Sequence, residues 1–261
     1  MHVDRRATED LSLETTRSAV LRAAVGATLA WSTRDSEPWR IVVRADGCEF
    51  HADPARWLPA RDPFGRSLVM SIGAALLNAR ATLAAGGVPH GVLRIPERGH
   101  PHHLATLTTR DSAWWVGPTE DERLAELGRG GVGRHPVEPG RARPIEVREL
   151  ELLRDVVSGA GAVLRRASAD TVVVCTLANR AVDWLRAGEA VQRLALAAAT
   201  HGLAVAEVVG DLERPADRNR LVRRLGGAVH PQVVLRLGAA AAGVRGRRRP
   251  LAEVLVRPQE W

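Results

Sequence analysis

Residues 65–87 read GRSLVMSIGAALLNARATLAAGG, and this stretch decides how the rest of the chain is organised. Leu68, Ile72, Leu76, Ala79 and Leu83 recur at three- and four-residue spacing, which puts one apolar stripe along a helix. Asp62-Pro63 supplies a start signal and Gly86-Gly87 a stop. Residues 187–203, AGEAVQRLALAAATHGL, repeat the pattern. Gly73 aligns with Gly188, Ala75 with Ala190, Ala84 with Ala199 and Gly87 with Gly202, at a constant offset of 115. The strands that follow match too: His100-Pro101 ahead of HLATL pairs with His230-Pro231 ahead of VVLRL at an offset of 130, the second copy carrying extra residues around Asp211–Gly226 that read as a short helix. A helix and strand unit present twice predicts one domain over 1–261 built from two related halves, about 15–112 and 118–261. Its best pocket is expected between them.

Outward from that pair, residues 17–30 have the spacing of an amphipathic helix, and the alternation starting at Trp39 predicts a strand. Asp46-Gly47 then turns the chain into a return strand at Cys48, a hairpin signal. Further strands are expected at 91–96, 103–109 and 232–238, and a short helix at 120–127. Helical spacing returns over 146–164. The uninterrupted β-branched run Thr171–Leu177 predicts a strand buried on both faces. Glu189 and Arg193 stand one helical turn apart, as an i,i+4 pair would. The elements together make the chain α+β.

Composition narrows the function classes. Of 261 residues, 45% are hydrophobic and 26% charged, a globular balance able to bury a real core. Every basic side chain counted in the +7 net charge is an arginine, and acidic residues run through the same segments, so charge does not argue for nucleic acid. Cys48 and Cys175 form neither a metal spacing nor a disulfide framework, which fits a reducing cytoplasm. No uninterrupted apolar run of about 18 residues occurs, so no membrane span is expected. His100, His102 and His103 lack accompanying carboxylate or cysteine ligands, and no metal site is expected. Rossmann, P-loop and nucleophile-elbow signatures are missing as well. Trp31, Trp39 and Trp57 lie near the first-half loop, where a pocket wall could use them.

Several short motifs then fall in one order. They are Ser32-x-x-Asp35-x-Glu37-Pro38-Trp39-Arg40, His51-Ala52-Asp53-Pro54-x-Arg56-x-Leu58-Pro59, Asp62-Pro63-x-Gly65-Arg66 and Ser71-Ile-Gly73-Ala74-Ala75 in the first half. Trp184-Leu185-x-Ala187-Gly188-x-Ala190, Ala198-x-Thr200-x-Gly202-Leu203, His230-Pro231-Gln232 and Arg248-Arg249-Pro250-Leu251-x-Glu253-Val254-Leu255 follow in the second. In this order the chain resembles the actinobacterial Acg-type branch of the nitroreductase superfamily. The resemblance implies a nitroreductase-like α+β sandwich in which one chain imitates the family homodimer, with FMN between the halves. It further implies a small-molecule substrate, NAD(P)H as electron donor, and a protein that is a monomer or a homodimer.

The resemblance also implies site residues. Arg247, Arg248 and Arg249 occupy the place of the phosphate-binding basic group, and Arg134 matches the end of an arginine-rich motif with the same task. Ser36 is placed to donate to the flavin or its phosphate. Val208 and Val209, within Ala206-Glu-Val-Val-Gly210, lie where the backbone meets the flavin ring. No catalytic acid or base is implied, because the cofactor carries the redox chemistry. Three departures stand out. Asp35 and Glu37 replace an amide pair, and as carboxylates they would repel a phosphate or else engage a cationic substrate or an arginine of the other half. Residues 129–136, RGGVGRHP, put glycines where a clamp is expected. The chain passes almost directly from Val163-Leu164 to Thr171, without the lid-like insertion of Acg relatives, which implies an open pocket. The readings left are an FMN-dependent oxidoreductase and, alternatively, a non-catalytic flavin- or ligand-binding protein that has lost its phosphate clamp.

Overall fold

A computed structural model of the chain describes residues 5–96, 99–110, 118–131, 139–208, 212–240 and 248–256. It is a mixed α+β fold with two sheets. Helix α1 (Arg5–Ala27), strands β1 (Trp39–Arg44) and β2 (Gly47–Ala52), helix α2 (Arg66–Ala85), and strands β3 (Gly91–Arg94) and β4 (His103–Thr108) come first. After α3 (Pro118–Gly131) and β5 (Pro139–Ala142) come α4 (Val147–Ser158), β6 (Val163–Arg166), β7 (Thr171–Thr176), α5 (Ala181–Thr200), β8 (Leu203–Glu207), α6 (Pro215–Arg224) and β9 (His230–Ala240). A one-turn helix α7 (Leu251–Val254) leads into β10 (Leu255–Val256).

The first sheet has the order β10-β1-β2-β4-β3. In the second, β6 pairs with β7, β7 with β9, and β9 with β8, all antiparallel. The order β1-β2-β4-β3 thus recurs as β6-β7-β9-β8. Short β5 adds to β9, and β10 runs parallel to β1 with Ile41 opposite Leu255. The Asp46-Gly47 hairpin forms where the turn chemistry puts it, with Arg44 opposite Gly47. Strand β7 is buried from Val172 to Thr176, as its β-branched run predicts.

Helices α1 and α2 form one apolar core with the first sheet, and α4 and α5 another with the second. The two cores join where α2 crosses α5. A Cβ at Gly73 would lie 2.0 Å from the Leu185 carbonyl oxygen, and one at Gly188 would lie 1.8 Å from that of Met70. The helices therefore meet backbone to backbone, and only glycine fits at either point. Each helix has 20 residues and is followed by a glycine in the left-handed region, Gly87 (φ 68) after α2 and Gly202 (φ 67) after α5. Helix α2 is long and apolar enough to cross a membrane, yet 83% of its apolar window is buried inside the protein. It is a core helix.

Buried polar groups tie the layers together. Gln192 on α5 donates to Asn78 on α2 (2.9 Å) and accepts from the Trp31 backbone (2.9 Å). Glu189, wholly buried, accepts from Arg80 Nη1 (2.5 Å) and from Arg94 Nε and Nη2 (2.6 and 2.9 Å), while Arg193 pairs with Glu120 on α3. The i,i+4 pair expected of Glu189 and Arg193 is therefore not what binds them. With α5 enclosed, each charge is satisfied by a neighbouring element.

Three further expectations are corrected. Helical spacing over 146–164 ends at Ser158, because Gly159 and Gly161 (φ 72) release the chain into β6. Helix α5 begins at Ala181, ahead of 187, where Asp183 in its first turn accepts from the Arg180 backbone N–H at 3.0 Å. Strands β5, β6 and β10 form where no strand was expected, each completed by pairing with another strand.

Candidate functional site

A cleft of about 670 Å³, including its open mouth, lies between the 32–38 loop, the 56–62 segment and the first turn of α2 on one side, and the ends of β8 and β9 on the other. Its walls therefore come from both ends of the chain. Arg34, Arg56, Arg61 and Arg66 line it, with Asp62, Glu207 and Glu213 as the acids and Trp57 and Leu58 as exposed apolar surface.

The loop at its rim is strained. Arg34 (φ 55), Asp35 (φ 51) and Glu37 (φ 45) all sit in the left-handed region that non-glycine residues avoid. Strain of this kind persists only where the surroundings over-determine it, and it concentrates at functional sites. Here the Glu37 N–H donates to Ser32 Oγ (3.1 Å) and the Thr33 N–H to Ser71 Oγ of α2 (3.2 Å). Glu37 is buried, and its carboxylate accepts from Arg248 Nη1 (3.1 Å) and from the Arg249 backbone N–H (3.0 Å). Arg249 reaches back to the carbonyls of Glu37 (2.8 Å) and Trp39 (3.2 Å) and to Asp53 Oδ2 (3.3 Å).

This network settles how the carboxylate departure is accommodated: Glu37 engages arginines from the far end of the chain. Arg248 and Arg249, expected at a phosphate, are held by Glu37 and Asp53 and do not line the cleft. The physical reason is that two buried carboxylates require paired charge. Ser36 and Val208 do line the cleft, on opposite walls. Arg134, Val209 and Arg247 lie outside the described residues. Trp57 lines the cleft with its indole N–H bonded to the Asp62 carbonyl (2.7 Å), whereas Trp39 is core.

The acids differ in their state. Glu213 is paired with Arg66, whose Nε lies 2.9 Å from Glu213 Oε1, and Arg66 also donates to the Gln232 carbonyl. Asp62 Oδ2 accepts from the Leu68 N–H at the start of α2 (2.9 Å), and burial raises its pKa. The carboxyl of Glu207, at the end of β8, has no hydrogen bond among the described residues. Burial pushes its carboxyl up to about 7, against the opposing pull of Arg34 and Arg66. Thr33 Oγ1 and Asp62 Oδ1 are buried against the cleft with no hydrogen-bond partner among the described residues. Arg56 and Arg61 form no ion pair among those residues.

Sequence reasoning missed Arg34, Arg61 and Glu207 as wall residues. The signal available was proximity: Arg34 stands two residues before Ser36, and Glu207 one before Val208. The histidines are placed differently from the expected cluster, since His103 stacks on His51 (ring centroids 4.5 Å apart) across β2 and β4, beside Glu49. Their candidate ligand atoms lie within 4.8 Å of one another. Each residue already has a protein partner, Arg44 and His51 for Glu49 and Thr106 for His103.

No family model matches the chain. It is 35% identical over 89 residues, 34% of its length, to the Mycobacterium tuberculosis protein named "Putative NAD(P)H nitroreductase acg", of which the match covers 27%. It is 29% identical over 205 residues, 78% of its length, to "Putative NAD(P)H nitroreductase Rv3131" of the same organism, of which the match covers 56%. The matched region thus spans between about a quarter and just over half of these relatives' length.

Proposed function

From its relationship to the nitroreductase superfamily, we propose that the chain is an FMN-dependent NAD(P)H oxidoreductase acting on a small organic acceptor in the Arg34–Glu207 cleft. Two related halves in one chain, about 15–112 and 118–261, would then take the place of two subunits. The recurring strand order, the equal lengths of α2 and α5 and the reciprocal Gly73 and Gly188 contacts support that reading.

The donor set fits the cofactor. FMN carries a phosphate, a polar ribityl chain and a flat ring. Arg34, Arg56 and Arg61 offer guanidinium forks to the phosphate, Ser36 and the Thr33 hydroxyl, which has no partner among the described residues, offer bonds to the chain, and Trp57 offers an apolar face. When bound, FMN would supply two-electron transfer between nicotinamide and acceptor. The protein's own part is to bind, orient and enclose. Arg248 and Arg249 act one layer behind, holding the strained loop through Glu37 so that Ser36 and Arg34 face the cleft. Two buried free thiols and the burial of α2 support a soluble, cytoplasmic protein.

The arginine-lined cleft shared by both ends of the chain is the observation that carries this reading. Purified protein titrated with FMN should quench flavin fluorescence stoichiometrically and turn yellow. Arg34→Ala/Arg61→Ala should weaken binding roughly 10- to 100-fold, as expected for lost charge-assisted bonds. Protein that stays colourless and does not bind added FMN overturns the reading. A second reading, ligand binding without turnover, is favoured by the pairing of Arg248 and Arg249 with carboxylates. FMN that binds but is reduced by neither NADH nor NADPH would select it.

A further inference from the structure

We propose that Glu207 is the proton donor of the cleft, delivering a proton to an acceptor reduced there. This rests on the oxidoreductase reading above and goes beyond it by giving the protein a catalytic residue of its own.

Geometry and elimination carry the inference. Reduction of an organic acceptor by hydride requires a proton as well. For a quinone, hydride and a proton convert two C=O groups into two C–OH groups. The two electrons originate in the reduced nicotinamide, one oxygen takes the proton of Glu207, and the resulting carboxylate is reprotonated from solvent through the open mouth. Among the described residues lining the cleft there is no histidine or cysteine, and the chain has no lysine or tyrosine. Arginine keeps its proton at any working pH. The carboxyls remain. Glu213 is ion-paired with Arg66, with Arg218 3.6 Å away, and Asp62 Oδ2 accepts from the Leu68 N–H. Among these three carboxyls only that of Glu207 has no hydrogen bond among the described residues.

Its surroundings set a proton affinity suited to the task. Burial favours the neutral acid, the charges of Arg34 on the loop and Arg66 on α2 favour the carboxylate, and the balance falls at about 7. A general acid works best when its pKa lies near the operating pH. Arg56, Arg61, Asp62 and Glu213 are the other charged groups in the cleft wall, and a bound phosphate would neutralise arginine charge and raise the proton affinity of Glu207 further.

The test uses the full chain, the isosteric variant Glu207→Gln and the carboxyl-retaining Glu207→Asp, with menadione as acceptor. All three should bind FMN with affinities within about threefold. In wild type, kcat should fall above pH 7 with a slope of one proton. Glu207→Gln should lose about 100-fold in kcat, the lower end of general-acid contributions, with KM little changed and the inflection gone. Glu207→Asp should restore the inflection. A readout independent of turnover is the stability of the ligand-free protein: wild type should gain on Glu207→Gln as pH falls from 7 towards 4.5. An FMN-loaded Glu207→Gln enzyme with wild-type kcat and pH profile overturns the proton-donor role and leaves the oxidoreductase reading standing. Wild type that binds no FMN overturns both.

Discussion

Gly188 shows how one position can hold a fold together by what it lacks. Its Cα faces the Met70 carbonyl so closely that a methyl would sit 1.8 Å from the oxygen, and backbone cannot step aside as a side chain can. Gly188→Ala should therefore cost at least the 1–3 kcal/mol typical of overpacking, read as a lowered urea midpoint, and Gly73→Ala should behave alike. Alanine at Gly99, where nothing lies within 4 Å, serves as the control. The two glycines were legible as an aligned pair in the sequence, although their reason was not: periodicity identifies a face, and only the crossing reveals how near the other backbone comes. Glu37 is the opposite case. Its departure from the family pattern was visible, and the sequence left open whether it repels or recruits. The partner, Arg248, stands 211 residues away, beyond the reach of any local rule. Arg249→Ala should lower thermal stability by removing the guanidinium that faces Asp53 and the Glu37 and Trp39 carbonyls, with FMN affinity falling far less than in Arg34→Ala/Arg61→Ala.

Among the elements, α2 and the body of α5 were the readiest to read, since long regular spacing ending at glycine leaves little choice, although the first turns of α5 before 187 were not read. The strands missed were β5, β6 and β10, short segments whose identity comes from a partner strand and not from their own composition. Between α2, α5, α3 and β3 lie the buried Arg80, Glu189 and Arg193 with the partly buried Arg94 and Glu120. Burial depresses the Arg193 pKa to about 9, aided by the like charges of Arg80 and Arg94. Glu189 stays ionised because two guanidinium groups outweigh its desolvation. Glu189→Gln removes the charge that both arginines face and should destabilise by about 3–5 kcal/mol in chemical denaturation, the range for breaking a buried pair from one side. Recovery of most of that loss on adding Arg94→Met would show that stranded charge, and not lost packing, is the cause.

At the scale of the molecule, two buried groups give the stability opposite responses to acid. His90 is held neutral by burial and by Arg80, with its pKa lowered to about 4 from an ordinary 6.5. Its contribution is present above pH 6.5 and is lost as pH falls towards 4, because the unfolded chain takes up a proton that the folded one refuses. Glu207, raised to about 7 from an ordinary 4.5, adds stability over nearly the same interval as pH falls. Wild type should thus be nearly flat between pH 6.5 and 4.5 with respect to these two groups. Glu207→Gln should expose a loss of up to about 1.4 kcal/mol per pH unit, measured as urea midpoints across the range. Neither response was legible in the sequence, because burial of a single histidine or glutamate is set by everything packed around it. The overall α+β plan was legible, because helical spacing and short β-branched or alternating runs mark most of its elements. One feature of that plan also bears on synthesis. The edge of the first sheet is completed by Leu255 and Val256 lying beside Ile41 and Val42, partners separated by nearly the whole chain. A ribosome would release the β1–β2 hairpin long before that edge strand exists, so the nascent protein must carry an unfinished sheet edge while all the residues between β1 and β10 are made. That exposed ladder is a natural place for a chaperone to bind, and a pulse of hydrogen exchange on stalled nascent chains should find β1 amides protected last.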